Sequence, residues 1–324
     1  MTDIEKIKAP VKEEMKHFDA YFKTVLKSKV PLLDLIMKYI LKRKGKQIRP
    51  LFVFLTAKML GNITESTYTA ASLIELLHTA TLVHDDVVDE SYERRGFFSI
   101  NALWRSKVAV LAGDYLLSKG LLIALEKKEF EILGTVSNAV REISEGELYQ
   151  IQKSRKLNIT EDEYYTIIRQ KTATLIAACT ATGGQSAGAS VKEVEKLKLF
   201  GEQVGMAFQI RDDLFDYQKN GLVGKPMGND IKEKKLTLPL IYSLKNVSLN
   251  QRKKILRKIN QNQKHPEFVR EVVQFVREGR GIEYATKKMN EFRDRALKIL
   301  KTFPDSEGKT SITGLVDYSI NRKK

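Results

Sequence analysis

The chain has little cysteine: Cys179 is the only one among 324 residues. A single thiol excludes an internal disulfide framework and suits a reducing compartment. It sits in the run Ala177-Ala178-Cys179-Thr180-Ala181, where small apolar neighbours predict a buried, inert side chain. Prolines number seven and alternating strand-like runs are scarce, so helix is expected over sheet. No apolar signal-peptide core follows Met1-Thr2-Asp3-Ile4-Glu5. No run reads as the roughly 18 apolar residues that span a bilayer, and a soluble, cytoplasmic protein without a transmembrane segment is expected. Histidine is also short. Beyond His78 and His84-Asp85 there remain only His17 and His265, too few for a histidine-rich phosphohydrolase centre. Helix-turn-helix, zinc-finger and RNP patterns are missing, although the net charge is +16. The basic residues are spread through amphipathic segments (Lys253-Lys254, Arg257-Lys258, Lys287-Lys288) rather than gathered beside aromatics. Nucleic-acid binding is therefore not expected. Anionic small substrates or an anionic membrane surface remain as partners, with most of the charge on solvated helix faces.

What is present is a large apolar fraction, 42%, set out in helical period. One stretch dominates. From Ala70 to Val83 the residues Leu73, Ile74, Leu77, Ala80, Thr81 and His84 recur at the spacing of a buried helix face. The run closes on Asp85-Asp86-Val87-Val88-Asp89. At about 100° per residue, His78, Asp85 and Asp89 share nearly one line. Carboxylates are seldom buried without a partner, so a cation is expected there. A second stretch, Phe208-Gln209-Ile210-Arg211-Asp212-Asp213-Leu214-Phe215-Asp216, repeats the acidic spacing. One such triplet is usually a solvated helix face. Two, each flanked by apolar residues, point to metal sites. Magnesium dehydrates reluctantly and takes one or two carboxylates plus substrate phosphates. Two pairs of carboxylates with a diphosphate between them would suit a cluster of such ions.

Around these motifs the chain reads as helices. Segments 4–26 and 31–41 come first, the second opened by Pro31. Gly45-Lys46-Gln47-Ile48-Arg49-Pro50 then sets two cations three apart at a helix start, either a basic turn or an anion site. Helices are expected over 51–60 (stopped by Gly61-Asn62), 64–89, 103–125 and 136–151. Thr160 and Glu163 form a capping box for a helix that carries Lys171-Thr172 and ends at Gly183-Gly184. Lys171 is either a snorkelling surface residue or a phosphate ligand. In the next helix, 192–217, Gly201 and Gly205 lie one turn apart and permit close helix contact. The glycines and lysines after Asp216, through Lys225, Gly228, Asp230, Lys234 and Lys235 to Thr237-Leu238-Pro239, read as a lid over phosphate or as a solvated loop. No linker or low-complexity segment interrupts the chain. It reads as one all-α domain, 1–324.

From Gly45 to the basic tail the chain resembles the trans-isoprenyl diphosphate synthases, also called polyprenyl synthetases. The likeness rests on Gly45-Lys46-x-x-Arg49-Pro50, His78, Asp85-Asp86-x-x-Asp89, Arg94-Arg95-Gly96, Lys171-Thr172, Phe208-Gln209-x-x-Asp212-Asp213-x-x-Asp216 and the Lys225…Asp230…Lys235…Thr237-Leu238-Pro239 loop. The resemblance implies a helical bundle around a deep central cavity, usually a homodimer, joining isopentenyl diphosphate to an allylic diphosphate. It implies that Asp85, Asp89 and Asp212 ligate three Mg²⁺, with Asp86, Asp213 and Asp216 in support. Arg94, Lys171, Thr172, Gln209, Lys225 and Lys235 would hold the allylic diphosphate. Lys46, Arg49, His78 and Arg95 would hold isopentenyl diphosphate. Asp85, Asp89, Asp212, Lys171 and Lys235 would carry the catalysis, and the departed diphosphate would take the proton, so no dedicated base is sought.

Two positions depart from the family pattern. Lys234 stands where the family has glycine, and Phe97-Phe98-Ser99 replaces the proline after Arg-Arg-Gly. Product length turns on Ala80 and Thr81. Both are small and leave the path beneath Asp85 open for about 6 Å, at about 1.5 Å rise per residue. Leu77, Ile74 or a residue near Phe130 would floor it further down. A product of C30 or longer, octaprenyl-like, is expected, with transient membrane contact on its release. The alternatives are a farnesyl or geranylgeranyl diphosphate synthase and a non-catalytic partner subunit, although such subunits usually lose an aspartate motif. A terpene cyclase would lack the second aspartate triplet and the second set of diphosphate-binding cations.

Overall fold

The computed structural model describes residues 3–42, 45–94, 96–217, 228–262 and 265–321. The expectation of an all-α fold holds. Among the described residues the one sheet is a ladder of two residues a side, Glu93–Arg94 against Phe97–Phe98. The chain folds as two compact units. One comprises Met1–Val140, Ile176–Lys198 and Leu300–Leu315; the other comprises Arg141–Leu175, Leu199–Ile299 and Val316–Lys324.

In the first unit the helix Glu65–Val88 carries the apolar run. Its start is fixed by hydroxyls: the Thr64 N–H donates to Thr67 Oγ1 at 3.1 Å, and both threonines reach Ser186, at 3.0 and 2.9 Å. Leu73, Ile74, Leu77 and Ala80 are buried as the periodicity requires, whereas Thr81 and His84 lie half-buried at the edge of that face. The helix ends at Asp89, whose N–H closes on the Asp85 carbonyl at 2.8 Å. His84 engages the helix Ile100–Glu126, its Nε2 lying 3.2 Å from the Val110 carbonyl and 3.4 Å from Asp114 Oδ1. Glycine at position 113 makes room for that ring, since a Cβ there would lie 2.1 Å from the nitrogen and force the imidazole to move.

The helix Ile100–Glu126 begins earlier than expected. Ser99 Oγ accepts the Ala102 N–H at 3.0 Å, and a kink at Arg105 (φ 67°, ψ 167°) follows. By length and composition it is apolar enough to cross a bilayer, against the expectation of no such segment, and 39% of its most apolar window is buried inside the protein. The glycine pair Gly183-Gly184 does not end its helix, which runs Thr174–Ser186. Gly183 instead permits close packing, since a Cβ there would meet the Val53 carbonyl at 2.6 Å. The turn comes later, at Gly188 with φ +78°.

In the second unit the capping box forms: the Thr160 N–H donates to Glu163 Oε2 at 2.8 Å and the Glu163 N–H to Thr160 Oγ1 at 3.3 Å. The helix Glu161–Ile168 that it opens does not continue as simple α-helix. A π-turn, Arg169–Ala173, intervenes, and Lys171 and Thr172 lie within it. The helix Val191–Phe215 packs closely there, for a Cβ on Gly205 would lie 2.4 Å from Ala173 Cα.

Candidate functional site

The first aspartate motif ends the Glu65–Val88 helix. Asp85 is half-buried, Asp86 is buried and Asp89 is exposed. Three carboxylates here add to the negative end of the helix dipole, an arrangement that calls for an external cation. Beyond it the chain is pinned by Ser91 N–H on the Asp86 carbonyl (2.9 Å), Asn101 Nδ2 on the same oxygen (3.3 Å) and Ser99 Oγ on the Ser91 carbonyl (2.7 Å). The ladder that follows carries the Arg94 backbone; the Arg94 side chain and Arg95 lie outside the described residues.

The other expected isopentenyl diphosphate ligands fall in the same unit. Lys46 is exposed ahead of the helix Ile48–Met59, and Arg49 is half-buried in that helix's first turn. Between them Gln47 takes a left-handed conformation (φ 52°) and donates to Asp19 at 2.9 Å. His78 is half-buried on the central helix. Of the expected length-setting residues, Leu77 and Ala80 are buried, and Thr81 turns its hydroxyl back onto the His78 carbonyl at 2.8 Å. Phe130 itself is exposed.

The second motif borders a cavity of about 190 Å³ lined by Lys153, Lys171, Lys234, Lys235, Gln209 and Asp213, among others. Lys171 pairs with Glu147 and donates to Gln150 Oε1 at 2.8 Å; Lys153 pairs with Glu163; Lys235 pairs with Glu233 at 2.5 Å. A hydrogen-bond chain crosses the cavity wall. Thr172 Oγ1 donates to Gln209 Oε1 (2.7 Å), Gln209 Nε2 to Asp213 Oδ1 (2.7 Å), and the buried Tyr164 hydroxyl to Asp213 Oδ2 (2.6 Å). Burial pushes the Asp213 carboxyl up to about 7, and the neighbouring Asp212 and Asp216 add to the rise while the Tyr164 and Gln209 bonds oppose it. Asp212 is half-buried. Asp216 receives the backbone N–H groups of Asn229 (2.8 Å) and Asp230 (3.1 Å), one on each oxygen. The hydroxyls of Thr237 and the buried Tyr217 share a hydrogen bond of 2.8 Å where the helix Leu238–Lys245 begins. Lys225 lies outside the described residues, with the rest of 218–227 in the lid expected after Asp216.

Sequence reasoning missed Tyr164 and Lys153. The one signal for Tyr164 was its place seven residues before Lys171, on the same helical face. Among the described residues no three His, Cys, Asp or Glu groups cluster closely enough to hold a metal by themselves. The donors on offer are carboxylate oxygens in small sets, and these fit a hard cation that keeps water and substrate phosphate in its shell.

Helical architecture, twin Asp-Asp-x-x-Asp helices and a lysine-walled cavity define a class of enzyme that handles diphosphate esters. Residues 30–276 match the polyprenyl synthetase family, and the chain belongs to that family. It is 33% identical to octaprenyl diphosphate synthase of Escherichia coli (strain K12), over 99% of this chain and 100% of that protein. A decaprenyl diphosphate synthase structure from Rhodobacter capsulatus superposes with a TM-score of 0.93, at 31% identity and 99% coverage of both chains. A geranylgeranyl pyrophosphate synthase from Bacteroides thetaiotaomicron superposes at 0.85, with 36% identity over 99% of this chain and 100% of that one. The chain is a prenyltransferase of isoprenoid biosynthesis.

Proposed function

We propose that this prenyltransferase condenses isopentenyl diphosphate with an allylic diphosphate and repeats the step to an all-trans product of C30 or longer. The observation that carries the reading is the cavity beside the second aspartate motif, where lysines gather around Gln209 and Asp213. Lys171, Thr172, Gln209 and Lys235 line it and, together with Arg94 and Lys225 as the family resemblance implies, hold the allylic diphosphate. Lys46, Arg49, His78 and Arg95 hold isopentenyl diphosphate. Asp85, Asp89 and Asp212 hold Mg²⁺, three ions in all, backed by Asp86, Asp213 and Asp216. Bound there, Mg²⁺ supplies neutralisation of the charge that grows on the leaving diphosphate.

The lysines do the same work from the protein side. The allylic C–O bond breaks with its electron pair on oxygen, and the double bond of isopentenyl diphosphate attacks the allylic carbon. A proton then passes to the departed diphosphate. Small side chains at Ala80 and Thr81 support the longer product, as does the similarity to octaprenyl and decaprenyl synthases. The geranylgeranyl synthase, at 36% identity, keeps the short-chain alternative open to experiment. A cytoplasmic homodimer completes the reading. A family match whose residues run through both units supports treating 1–324 as one functional domain.

Incubation with Mg²⁺, radiolabelled isopentenyl diphosphate and farnesyl diphosphate, with products sized by chromatography, tests it. A ladder reaching C30 or beyond is expected, and an end at C20 would replace the long-chain reading with the short-chain one. Asp85→Ala and Asp212→Ala should each lower incorporation by about a hundredfold or more with helical circular dichroism intact. Full activity in either would remove the metal assignment.

A further inference from the structure

Lys234 takes a left-handed backbone conformation, φ +59°, which few residues other than glycine adopt without cost. Lys234 nevertheless lines the cavity of the second unit, and its Nζ donates to Asn260 Oδ1 at 2.7 Å. The other three cavity lysines are each paired with a carboxylate: Lys153 with Glu163, Lys171 with Glu147 and Lys235 with Glu233. Lys171 also donates to an amide, Gln150, but beside its ion pair with Glu147; among the described residues Lys234 is the cavity lysine held by an amide with no carboxylate paired to it. An ammonium group has three donors; Asn260 accepts one, fixing the group without cancelling its charge. A lysine neutralised by a carboxylate attracts an incoming anion less than one held by an amide.

We propose that Lys234 is a substrate-binding residue of this chain, an additional cation that Asn260 holds ready for the diphosphate entering the cavity, and that the strained backbone at 234 is kept for that charge. The inference rests on the reading that this cavity takes the allylic diphosphate.

The test compares Lys234→Gly, Lys234→Gln, Lys234→Arg and Lys235→Ala for the KM of the allylic diphosphate and for inhibition by inorganic pyrophosphate. Glycine suits φ +59°, so Lys234→Gly is expected to melt at or above the wild-type temperature. Any loss of binding then reflects the missing charge and not misfolding. Lys234→Gly and Lys234→Gln should raise the allylic KM and the pyrophosphate inhibition constant together, by roughly tenfold or more, the effect of one hydrogen bond from a charged group. The KM for isopentenyl diphosphate should not move, and Lys234→Arg should stay near wild type. Unchanged values in both neutral variants, with Lys235→Ala impaired, would overturn the role of Lys234 and leave the cavity assignment standing. Unchanged values in all variants, Lys235→Ala included, would overturn the cavity assignment itself.

Discussion

Asp213 is held from behind on both oxygens, by the Tyr164 hydroxyl at 2.6 Å and Gln209 Nε2 at 2.7 Å, and it is almost wholly buried. Burial raises its pKa to about 7. The native state therefore binds this proton more tightly than the unfolded chain does, and metal-free stability falls as pH rises from about 4 to about 7. Tyr164→Phe removes a donor that favours the ionised carboxylate. It is expected to cost about 1–3 kcal/mol at neutral pH and to push the falling window above pH 7. Thermal melts in chelator across pH 5–8 check this, and a flat difference between wild type and variant would deny Tyr164 its hold on Asp213. Cys179 sits in the other unit, fully buried, its thiol pushed up to about 12 chiefly by burial. It is expected to resist iodoacetamide at pH 8 in the native protein and to react once the chain is denatured.

At the scale of the element, a helix start written in local side-chain chemistry was legible, whereas the end assigned to Gly183-Gly184 and the helix irregularities were not. Thr160 and Glu163 announce a start through side-chain chemistry that is local in sequence, and the structure forms both bonds. Glu163 also pairs with Lys153, and that bond, ahead of the Thr160 N–H, lowers its pKa to about 2. Its contribution to stability is then full above about pH 4.5 and lost as pH falls toward 2. Thr160→Ala should cost about 1 kcal/mol at neutral pH, measured by urea titration.

The π-turn at Arg169–Ala173 left no such mark. One extra residue in a turn barely disturbs an apolar periodicity, and the turn's last residue, Ala173, packs against Gly205 of another helix, far off in sequence. The same limit misplaced the role of Gly183, whose neighbour is the distant Val53 carbonyl. Both Asp-Asp-x-x-Asp motifs could be read because their chemistry is written in consecutive turns. Tyr164, the third party to Asp213, could not, because the fold brings it there. Gly205→Ala forces a Cβ against Ala173, next to Thr172, and is expected to destabilise by about 1–3 kcal/mol. It should also raise the allylic KM, while the neighbouring Met206→Leu, which keeps volume, should not. Melting curves and initial rates on both variants decide it.

For the molecule as a whole, the helix Ile100–Glu126 poses the open question, because it is apolar on two faces. Ala109, Ala112, Leu116, Ile123 and Ala124 are buried, whereas Val110, Leu111, Leu121, Leu122 and Leu125 are exposed. At about 100° per residue the exposed set forms one stripe opposite the buried set. A bilayer span would also require the buried face, with His84 locked at Gly113, to be pulled out of the first unit's core. A covering surface on one side needs no such loss. Exposed apolar residues along one face of a helix, here interrupted by the exposed Asp114 and Ser118, mark an interaction site, and a second copy of this chain offers an identical face to pair with it by two-fold symmetry. The double variant Leu111→Asp/Leu122→Asp leaves the buried face untouched. It should keep its helical circular dichroism while light scattering reports half the wild-type mass. Wild type running as a monomer at micromolar concentration would remove the pairing, and vesicle binding that the double variant loses would assign the face to a membrane surface instead.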